Sequence, residues 1–230
     1  MELLINGDCI EEMTNIETDS IDLLFCDLPY GQTHCEWDCL IDLDLFWKEV
    51  NRICKETTPM FFTTTTKFGV SLINSNPKNF RYDMVWKKSN STGHLNAKKM
   101  PMRTHEMIYV FYRKLPSYDL SSHTKHEQKK VSNDHTPVYG KQAKHYKSSY
   151  EPHLPSSILE FSRERGKHST QKPVSLIEWI LKYYTKEGDK ILDPTMGSGS
   201  TGVACKNMNR KFIGIEKDKD IYDTAVKRLE

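Results

Sequence analysis

Short apolar runs alternate with segments of helical spacing along most of the chain. Seven runs have the length and the aliphatic or aromatic content of buried strands: residues 3–5, 21–26, 60–64, 82–86, 107–112, 190–192 and 212–215. Between them, apolar residues recur at helical spacing within 43–53 and 176–184. This alternation predicts an α/β fold with a mainly parallel, Rossmann-like sheet and helices on both of its faces.

The periodicity stops between about residues 115 and 154, where neither a strand nor a helix can be assigned. Charge is concentrated in the same part of the chain. Residues 78–147 contain 15 Lys and Arg against five Asp and Glu, although the formal net charge of the whole chain is +2. Such a segment is typical of a surface that contacts a polyanion, and a solvated, lysine-rich loop is the alternative.

A chain of 230 residues is long enough for one domain with an insertion. We therefore expect a single domain over residues 1–230, with an inserted region at about 80–155. The sequence has no apolar run of membrane-spanning length and no signal-peptide pattern, which predicts a soluble, cytoplasmic protein without a membrane partner. Its six cysteines form no CxxC pair, so we expect reduced thiols and no metal site.

Residues 190–216 have the order strand, glycine-rich turn, helix, strand, acid. The turn is Asp193-Pro194-Thr195-Met196-Gly197-Ser198-Gly199-Ser200-Thr201-Gly202, and Glu216 ends the second strand. Glycines let the backbone approach a ligand closely, and a carboxylate at the strand end can accept the hydroxyls of a ribose. A nicotinamide dinucleotide and S-adenosylmethionine both fit this pattern. Asp193 favours S-adenosylmethionine, because a carboxylate attracts its ammonium group and repels a pyrophosphate.

A second candidate site follows the strand predicted at 21–26, in the run Asp27-Leu28-Pro29-Tyr30-Gly31. An exocyclic amine of a base is a poor nucleophile, because its lone pair is delocalised into the ring. A carboxylate and a main-chain carbonyl could accept its two hydrogens and free the lone pair for attack, and an aromatic ring could stack on the base. The alternative is an ordinary Asp-Pro turn.

Three motifs together resemble those of the β-class DNA amino-methyltransferases, a circularly permuted, S-adenosylmethionine-dependent group that methylates adenine N6 or cytosine N4. Residues 27–30 resemble the [DNS]PP[YFW] motif of that group, and residues 193–201 resemble its D-P-F-x-G-S-G-T-T motif. Residues 166–173, Gly-Lys-His-Ser-Thr-Gln-Lys-Pro, are similar to its H-x-T-Q-K-P segment. The catalytic motif comes first and the cofactor loop last, which is the permuted methyltransferase order.

The resemblance implies a role for each matched position. The catalytic residues would be Asp27, Leu28, Pro29 and Tyr30. The cofactor-binding residues would be Asp8, Cys9, His168, Thr170, Lys172, Asp193, Pro194, Thr195, Gly197, Ser198, Gly199, Ser200, Thr201 and Glu216. Within this set, Asp8 falls where the family contacts the cofactor adenine, Glu216 where it binds the ribose, and residues 168–172 beside the methionine part.

Two positions depart from the family pattern. Leu28 replaces the first proline of the catalytic motif, which removes one constraint on the turn but keeps a carbonyl. Thr195 replaces a phenylalanine that lines the cofactor cleft, so cofactor affinity is the property in question. Asp27 stands where cytosine-N4 enzymes commonly have serine, which favours adenine N6 as the target.

The family places its target-recognition region between the catalytic motif and the cofactor loop, where the basic segment lies. The DNA-binding residues would then be Lys87, Lys88, Arg103, Lys125, Lys129, Lys130, Lys141, Lys144 and Lys147. DNA is the expected partner, and a homodimer and a cognate restriction endonuclease are compatible with the class. Besides adenine-N6 methylation, three functions stay open: cytosine-N4 methylation, a nicotinamide-dependent oxidoreductase and a non-catalytic DNA-binding relative.

Overall fold

The computed structural model describes residues 2–29, 41–132, 145–162 and 171–230; the side chains of 127–132 and 145–148 lie outside that description. The chain divides into two units, one formed by Met1–Tyr118 with Ser157–Glu230 and the other by Asp119–Ser156. The predicted insertion at 80–155 thus overlaps both units. No helix within the described ranges is long and apolar enough to cross a membrane.

The strands, in chain order, are β1 Glu2–Asn6, β2 Leu23–Cys26, β3 Met60–Thr64, β4 Phe80–Thr92, β5 Arg103–Phe111, β6 Thr124–Ser132, β7 His145–Glu151, β8 Ile158–Glu160, β9 Lys190–Asp193 and β10 Lys211–Glu216. The helices are α1 Cys9–Met13, α2 Leu43–Ile53, α3 Thr66–Ser75, α4 Val174–Tyr184, α5 Ser200–Asn207 and α6 Lys219–Leu229. A 3₁₀ turn, His94–Asn96, lies between β4 and β5.

The first unit contains an eight-stranded sheet in the order β1-β10-β9-β2-β3-β5-β4-β8. Within it β5 runs antiparallel to β3 and β4, and the other neighbouring strands are parallel. The prediction of a mainly parallel α/β sheet is therefore confirmed. The parallel strands β1, β10, β9, β2 and β3 all end at one edge, which we call the carboxyl edge.

Alternate residues of the central strands face two separate cores, as the strand period of two requires. On one side, Phe62 of β3 packs with Phe46 and Trp47 of α2, at ring-centroid distances of 6.1 and 5.4 Å. On the other side, Phe61 belongs to a core with Leu176 and other apolar residues of α4. Helices therefore cover both faces of the sheet, as predicted.

The structure extends two of the predicted strands, and it adds a hairpin and the short strand β8, which no apolar run predicted. β3 has the predicted bounds. β4 extends past both ends of the run at 82–86, and β5 begins before the run at 107–112, at Arg103, and ends at Phe111. The second unit contains β6 and β7, which pair antiparallel where no regular element could be assigned from the sequence. Within this unit, the buried His123 ring lies 2.8 Å from the Pro152 carbonyl oxygen.

Candidate active site

Two predicted motifs meet at the carboxyl edge because their strands are neighbours. β2 pairs with β9, so Asp27 and Asp193 follow or end adjacent strands although they are far apart in the sequence. Thr195 Oγ1 donates a hydrogen bond of 3.2 Å to the main-chain oxygen of Asp27. The turn after β2 and the glycine loop after β9 are therefore directly connected.

The Asp27 carboxylate is held from two sides. Thr63 Oγ1, from the end of β3, donates to Asp27 Oδ1 at 2.7 Å, and the Lys172 ammonium donates to Oδ2. The Asp27 side chain keeps 30% of its surface exposed. A carboxylate with this environment is oriented, charge-compensated and still accessible to a ligand.

Lys172 lies between two carboxylates. Its side chain is 10% exposed, and its Nζ contacts Asp27 and lies 3.6 Å from Glu106 Oε2. Burial opposes the charged form, yet Asp27 and Glu106 together raise the pKa of Lys172 above its usual value. Lys172 is thus a buried cation that contacts Asp27, whereas the resemblance implied a contact with the methionine part of the cofactor.

Glu106 is a residue of this site that the sequence analysis missed. It lies in β5, and its Oε1 forms an ion pair with Lys88 of β4. The sequence contains one usable signal, because Glu106 is the sole acidic residue between Asp83 and Asp119. A lone acid at the start of an apolar run in a basic segment can mark a buried ion pair.

Lys88 requires a correction. It was predicted to contact DNA phosphates, but its side chain is 6% exposed and is paired with Glu106. It also lies over the Trp86 ring, with Nζ 5.2 Å from the centroid. The alternation along β4 explains the difference: Lys87 points outward and pairs with Glu160 at the surface, whereas Lys88 points inward.

The Asp193 carboxylate is buried within the glycine loop. Asp193 is 4% exposed, and its oxygens accept hydrogen bonds from Thr201 Oγ1 at 2.5 Å and from the Thr195 N–H at 3.2 Å. Burial raises the pKa of Asp193 to about 7, and the neighbouring Asp27 charge adds to that increase. A cationic group placed next to Asp193 would stabilise its ionised form.

The glycine loop has the backbone geometry that its sequence predicts. Gly197 and Gly199 have φ angles of +51° and +79°, in the left-handed region that favours glycine. A Cβ at Gly197 would meet no described atom within 4 Å, so this part of the loop borders open space. Behind the loop, Arg228 Nη1 donates to the Ser198 carbonyl at 3.1 Å and to Ser200 Oγ at 3.1 Å, so Arg228 braces the loop at these two serines.

Glu216 lies at the end of β10, beside the glycine loop. Its Oε2 accepts the Gly197 N–H at 3.0 Å, and its Oε1 accepts the Asp218 N–H at 2.9 Å. Burial raises the pKa of Glu216. Each oxygen of an ionised carboxylate has further acceptor capacity, so Glu216 can still bind the hydroxyls of a ribose.

Asp8 follows β1, the strand next to β10. Its side chain accepts the Ile10 N–H at 3.0 Å and caps α1, and Lys217 Nζ lies 3.2 Å from Oδ2. Although burial opposes it, the Lys217 hydrogen bond and the backbone hydrogen bond lower the pKa of Asp8. Next to it, Cys9 is buried, and burial raises the pKa of its thiol to about 12, so the thiol stays protonated.

The structure describes some of the remaining predicted residues and not others. Leu28 is buried directly after Asp27, and Pro29 is half-buried. Pro194 is buried at the start of the glycine loop. Lys87, Arg103 and Lys125 are exposed. Tyr30, His168, Thr170, Lys141 and Lys144 lie outside the described residues, as do the side chains of Lys129, Lys130 and Lys147.

The carboxylates along the carboxyl edge fit an S-adenosyl cofactor. Asp8, Glu216 and Asp193 stand at the ends of β1, β10 and β9, in the order of the strands, and Asp27 follows on β2. This row offers carboxylates for a ribose and an ammonium group, and the open backbone at Gly197 lets a ligand approach. Within the described ranges, no group of three or more His, Cys, Asp and Glu side chains could hold a metal ion.

The model of the N6/N4 DNA methylase family matches residues 21–227, which is most of the chain. The chain therefore belongs to this DNA methylase family, and the predicted class, an S-adenosylmethionine-dependent DNA methyltransferase, is confirmed. Family membership also removes the nicotinamide-dependent oxidoreductase from the alternatives.

Relatives and solved structures agree with this assignment. The type II methyltransferase M.HinfI of Haemophilus influenzae is 28% identical over 258 residues, with 100% of this chain and 68% of the relative covered. The DNA adenine methyltransferase YhdJ of Escherichia coli (strain K12) is 27% identical over 249 residues, with 99% and 82% covered.

Two solved structures match over the whole of this chain. The complex of M1.HpyAVI with SAM has a TM-score of 0.67 at 24% identity and is itself 100% covered. The cytosine-N4-specific PvuII DNA methyltransferase has a TM-score of 0.73 at 17% identity and is 86% covered. At these identities the likeness establishes the fold.

Proposed function

We propose that this protein transfers the methyl group of S-adenosylmethionine to the N6 amine of adenine in DNA. One observation supports the proposal above all others. The Asp27 carboxylate is oriented and accessible, and the main-chain oxygen of the same residue is hydrogen-bonded to the glycine loop on the next strand. An amine bound to Asp27 would thus lie next to a donor bound along the loop.

The bound donor supplies an electrophilic methyl on a sulfonium. Asp27 accepts one hydrogen of the target amine, and the Leu28 carbonyl accepts the other. Both contacts localise the nitrogen lone pair and align it for in-line attack. The N–C bond forms as the S–C bond breaks, and one amine proton leaves through Asp27 to water. Tyr30 stacks on the base in this proposal.

Adenine is preferred over cytosine because the catalytic motif begins with an aspartate. A relative that aligns over almost the whole chain is named a DNA adenine methyltransferase. Cytosine-N4 methylation is the second candidate, since a structure of that named specificity shares the fold with a TM-score of 0.73.

The cofactor contacts in the proposal follow the carboxyl edge. Asp8 and Cys9 border the adenine of the donor, Glu216 binds its ribose, and Asp193 attracts its ammonium. His168 and Thr170 complete the methionine side. Exposed Lys87, Arg103 and Lys125, together with Lys129, Lys130, Lys141, Lys144 and Lys147, contact the DNA phosphates.

Two protein partners and a location belong to the proposal as well. The relative M.HinfI is named a type II methyltransferase, which supports a cognate restriction endonuclease as the first partner. A second copy of the chain is the other, and sedimentation of the protein with and without DNA tests it. Action on DNA supports a cytoplasmic location.

The experiment is identification of the methylated nucleoside. Purified protein is incubated with unmethylated DNA and S-adenosylmethionine that bears a trideuterated methyl group, and the DNA is digested to nucleosides for mass spectrometry. We expect trideuterated N6-methyladenine. Labelled N4-methylcytosine would replace the proposal with the second candidate, and an unlabelled digest from protein that binds the cofactor would overturn both.

A further inference from the structure

Four side chains of alternating charge form a continuous chain behind the site, in the order Lys88, Glu106, Lys172, Asp27. Lys88 pairs with Glu106 Oε1, and Lys172 pairs with Asp27 Oδ2. The middle link is open: Lys172 Nζ lies 3.6 Å from Glu106 Oε2, beyond the usual length of a hydrogen bond.

Glu106 Oε2 is a buried acceptor whose hydrogen bond is not formed. It has no hydrogen-bond partner among the described residues, although the atom is shielded from solvent. Buried carboxylate oxygens are normally satisfied, so an open one beside a reaction site indicates a partner that arrives in another state. The Lys172 ammonium, which has three N–H groups, lies 3.6 Å from this oxygen.

The Asp27 carboxylate, in contrast, has no oxygen without a hydrogen-bond donor. Thr63 and Lys172 already donate to its two oxygens, and the target amine needs an acceptor there as well. A shift of Lys172 Nζ by less than about 1 Å towards Glu106 would bring it within hydrogen-bond distance of Oε2. The same shift would release a lone pair of Asp27 Oδ2.

We propose that the Lys172 ammonium moves its hydrogen bond from Asp27 to Glu106 when the target amine binds to Asp27. Glu106 is then a positioning residue that acts through Lys172. The inference rests on the proposed function, since it assumes that Asp27 binds an amine. Lys88 pairs with the other Glu106 oxygen, so the carboxylate is already held on its far side. Lys172 remains a hydrogen-bond donor in both positions.

The test is a double-mutant cycle with Glu106→Gln and Lys172→Met. The measured quantity is the single-turnover rate of N6-methyladenine formation at saturating DNA and cofactor, followed with a radioactive methyl group. Glu106→Gln removes the charge that attracts Lys172, and misplacement of a reacting group by about 1 Å costs up to about 100-fold. We expect a rate loss of roughly 10-fold to 100-fold, with the cofactor dissociation constant unchanged.

The second half of the cycle separates action through Lys172 from a structural role. In the Lys172→Met background, Glu106→Gln should change the rate by less than about twofold, because the group on which it acts is gone. Glu106→Asp keeps the charge and should recover part of the lost rate. Glu106→Ala, which also removes the charge, replaces Glu106→Gln in the cycle if the latter does not fold, as judged by thermal melting and cofactor binding.

A matched control exists at the opposite edge of the sheet. Glu56 precedes β3, is exposed and pairs with Lys114, so Glu56→Gln removes the same charge from a surface ion pair. Its rate should stay at the wild-type level. The inference is overturned if Glu106→Gln is as fast as wild type, or if its loss is equally large with and without Lys172. A wild-type protein that forms no N6-methyladenine would instead overturn the proposed function.

Discussion

Asp27 and Asp193 belong to neighbouring strands of one sheet, yet their surroundings differ. Asp193 is 4% exposed and accepts its hydrogen bonds from Thr195 and Thr201 of its own loop. Asp27 is 30% exposed and is held by residues from two other parts of the chain, Thr63 and Lys172. One carboxylate is therefore sequestered within a preformed loop, whereas the other is accessible and paired with a buried cation.

The difference suggests that Asp193 interacts with the methyl donor and Asp27 with the target amine. A buried carboxylate whose pKa lies near 7 gains most from a ligand that brings a positive charge, as the donor does. An accessible carboxylate paired with a buried cation can accept a neutral N–H without a large change in charge. Substitutions on the two sides should consequently change different measured quantities.

The largest effect is expected from Asp27→Asn. The family motif also contains asparagine at this position, but in this chain Thr63 and Lys172 donate to the two Asp27 oxygens. An amide would turn its NH2 group towards one of these donors, so the target amine would no longer be oriented. The transfer rate should fall by about 100-fold or more, since one oriented acceptor of this kind is worth that much. Single-turnover methylation measures it. Asp19→Asn is the matched control, because Asp19 is exposed before β2 and its φ of +51° suits asparagine. A wild-type rate in the Asp27 variant would contradict its assigned role.

Glu216→Ala should weaken the binding of the methyl donor. Loss of a charged acceptor for the ribose costs about 1.5–3 kcal/mol, which corresponds to roughly 10-fold to 150-fold in the cofactor dissociation constant. Calorimetric titration with S-adenosylmethionine measures this change. Glu187→Ala, at an exposed turn before β9, should bind as the wild type does. Unchanged affinity in the Glu216 variant would mean that the ribose lies elsewhere.

The sequence predicted the arrangement of the glycine loop more completely than the contacts of Asp27, and the reason is physical. Asp193, the glycines and Glu216 lie within 24 residues, so the local order of strand, turn and strand specifies their arrangement. The contacts of Asp27 come from Thr63 and Lys172, and only the packed sheet brings these residues together.

The missed elements have a similar explanation. β3 was predicted with its observed bounds because all five of its residues are buried. The outer ends of β4 and β5 are polar and exposed, and thus leave no apolar pattern. Lys88 was misassigned because charge alone does not distinguish an outward lysine from one that points inward and pairs with an acid of the neighbouring strand.

The pH dependence of cofactor binding sharpens the comparison. The free protein has Asp193 half-protonated at about pH 7, and the cationic donor favours the ionised form, so binding releases a proton below that pH. Affinity should strengthen by at most about tenfold per pH unit as the pH rises towards 7, and level off above it. Titrations between pH 5.5 and 8 in buffers of different ionisation enthalpy, at roughly half-unit steps, detect both effects. Asp193→Asn should remove this component. An equal pH dependence in that variant would contradict the pairing.

The smallest effect concerns a single phosphate contact in the second unit. Lys125 is exposed on β6, and Lys125→Gln should reduce the slope of log K for DNA against log salt by about 0.9. Cofactor affinity should not change. Fluorescence anisotropy with a labelled duplex at several salt concentrations provides the slope. Lys114→Gln, in the first unit, is the control. An unchanged slope for Lys125→Gln would remove this residue from the proposed DNA surface.

The central claim is that Asp27 acts on the target amine and Glu216 on the cofactor. Its most direct test measures two quantities on the same preparations of Asp27→Asn and Glu216→Ala, namely the cofactor dissociation constant and the single-turnover rate at saturating cofactor. We predict that Asp27→Asn loses the rate and keeps the affinity, whereas Glu216→Ala loses affinity and recovers most of the rate at saturation. If both variants lose affinity to the same extent, or if Asp27→Asn loses affinity alone, the assignment of the two sides is contradicted.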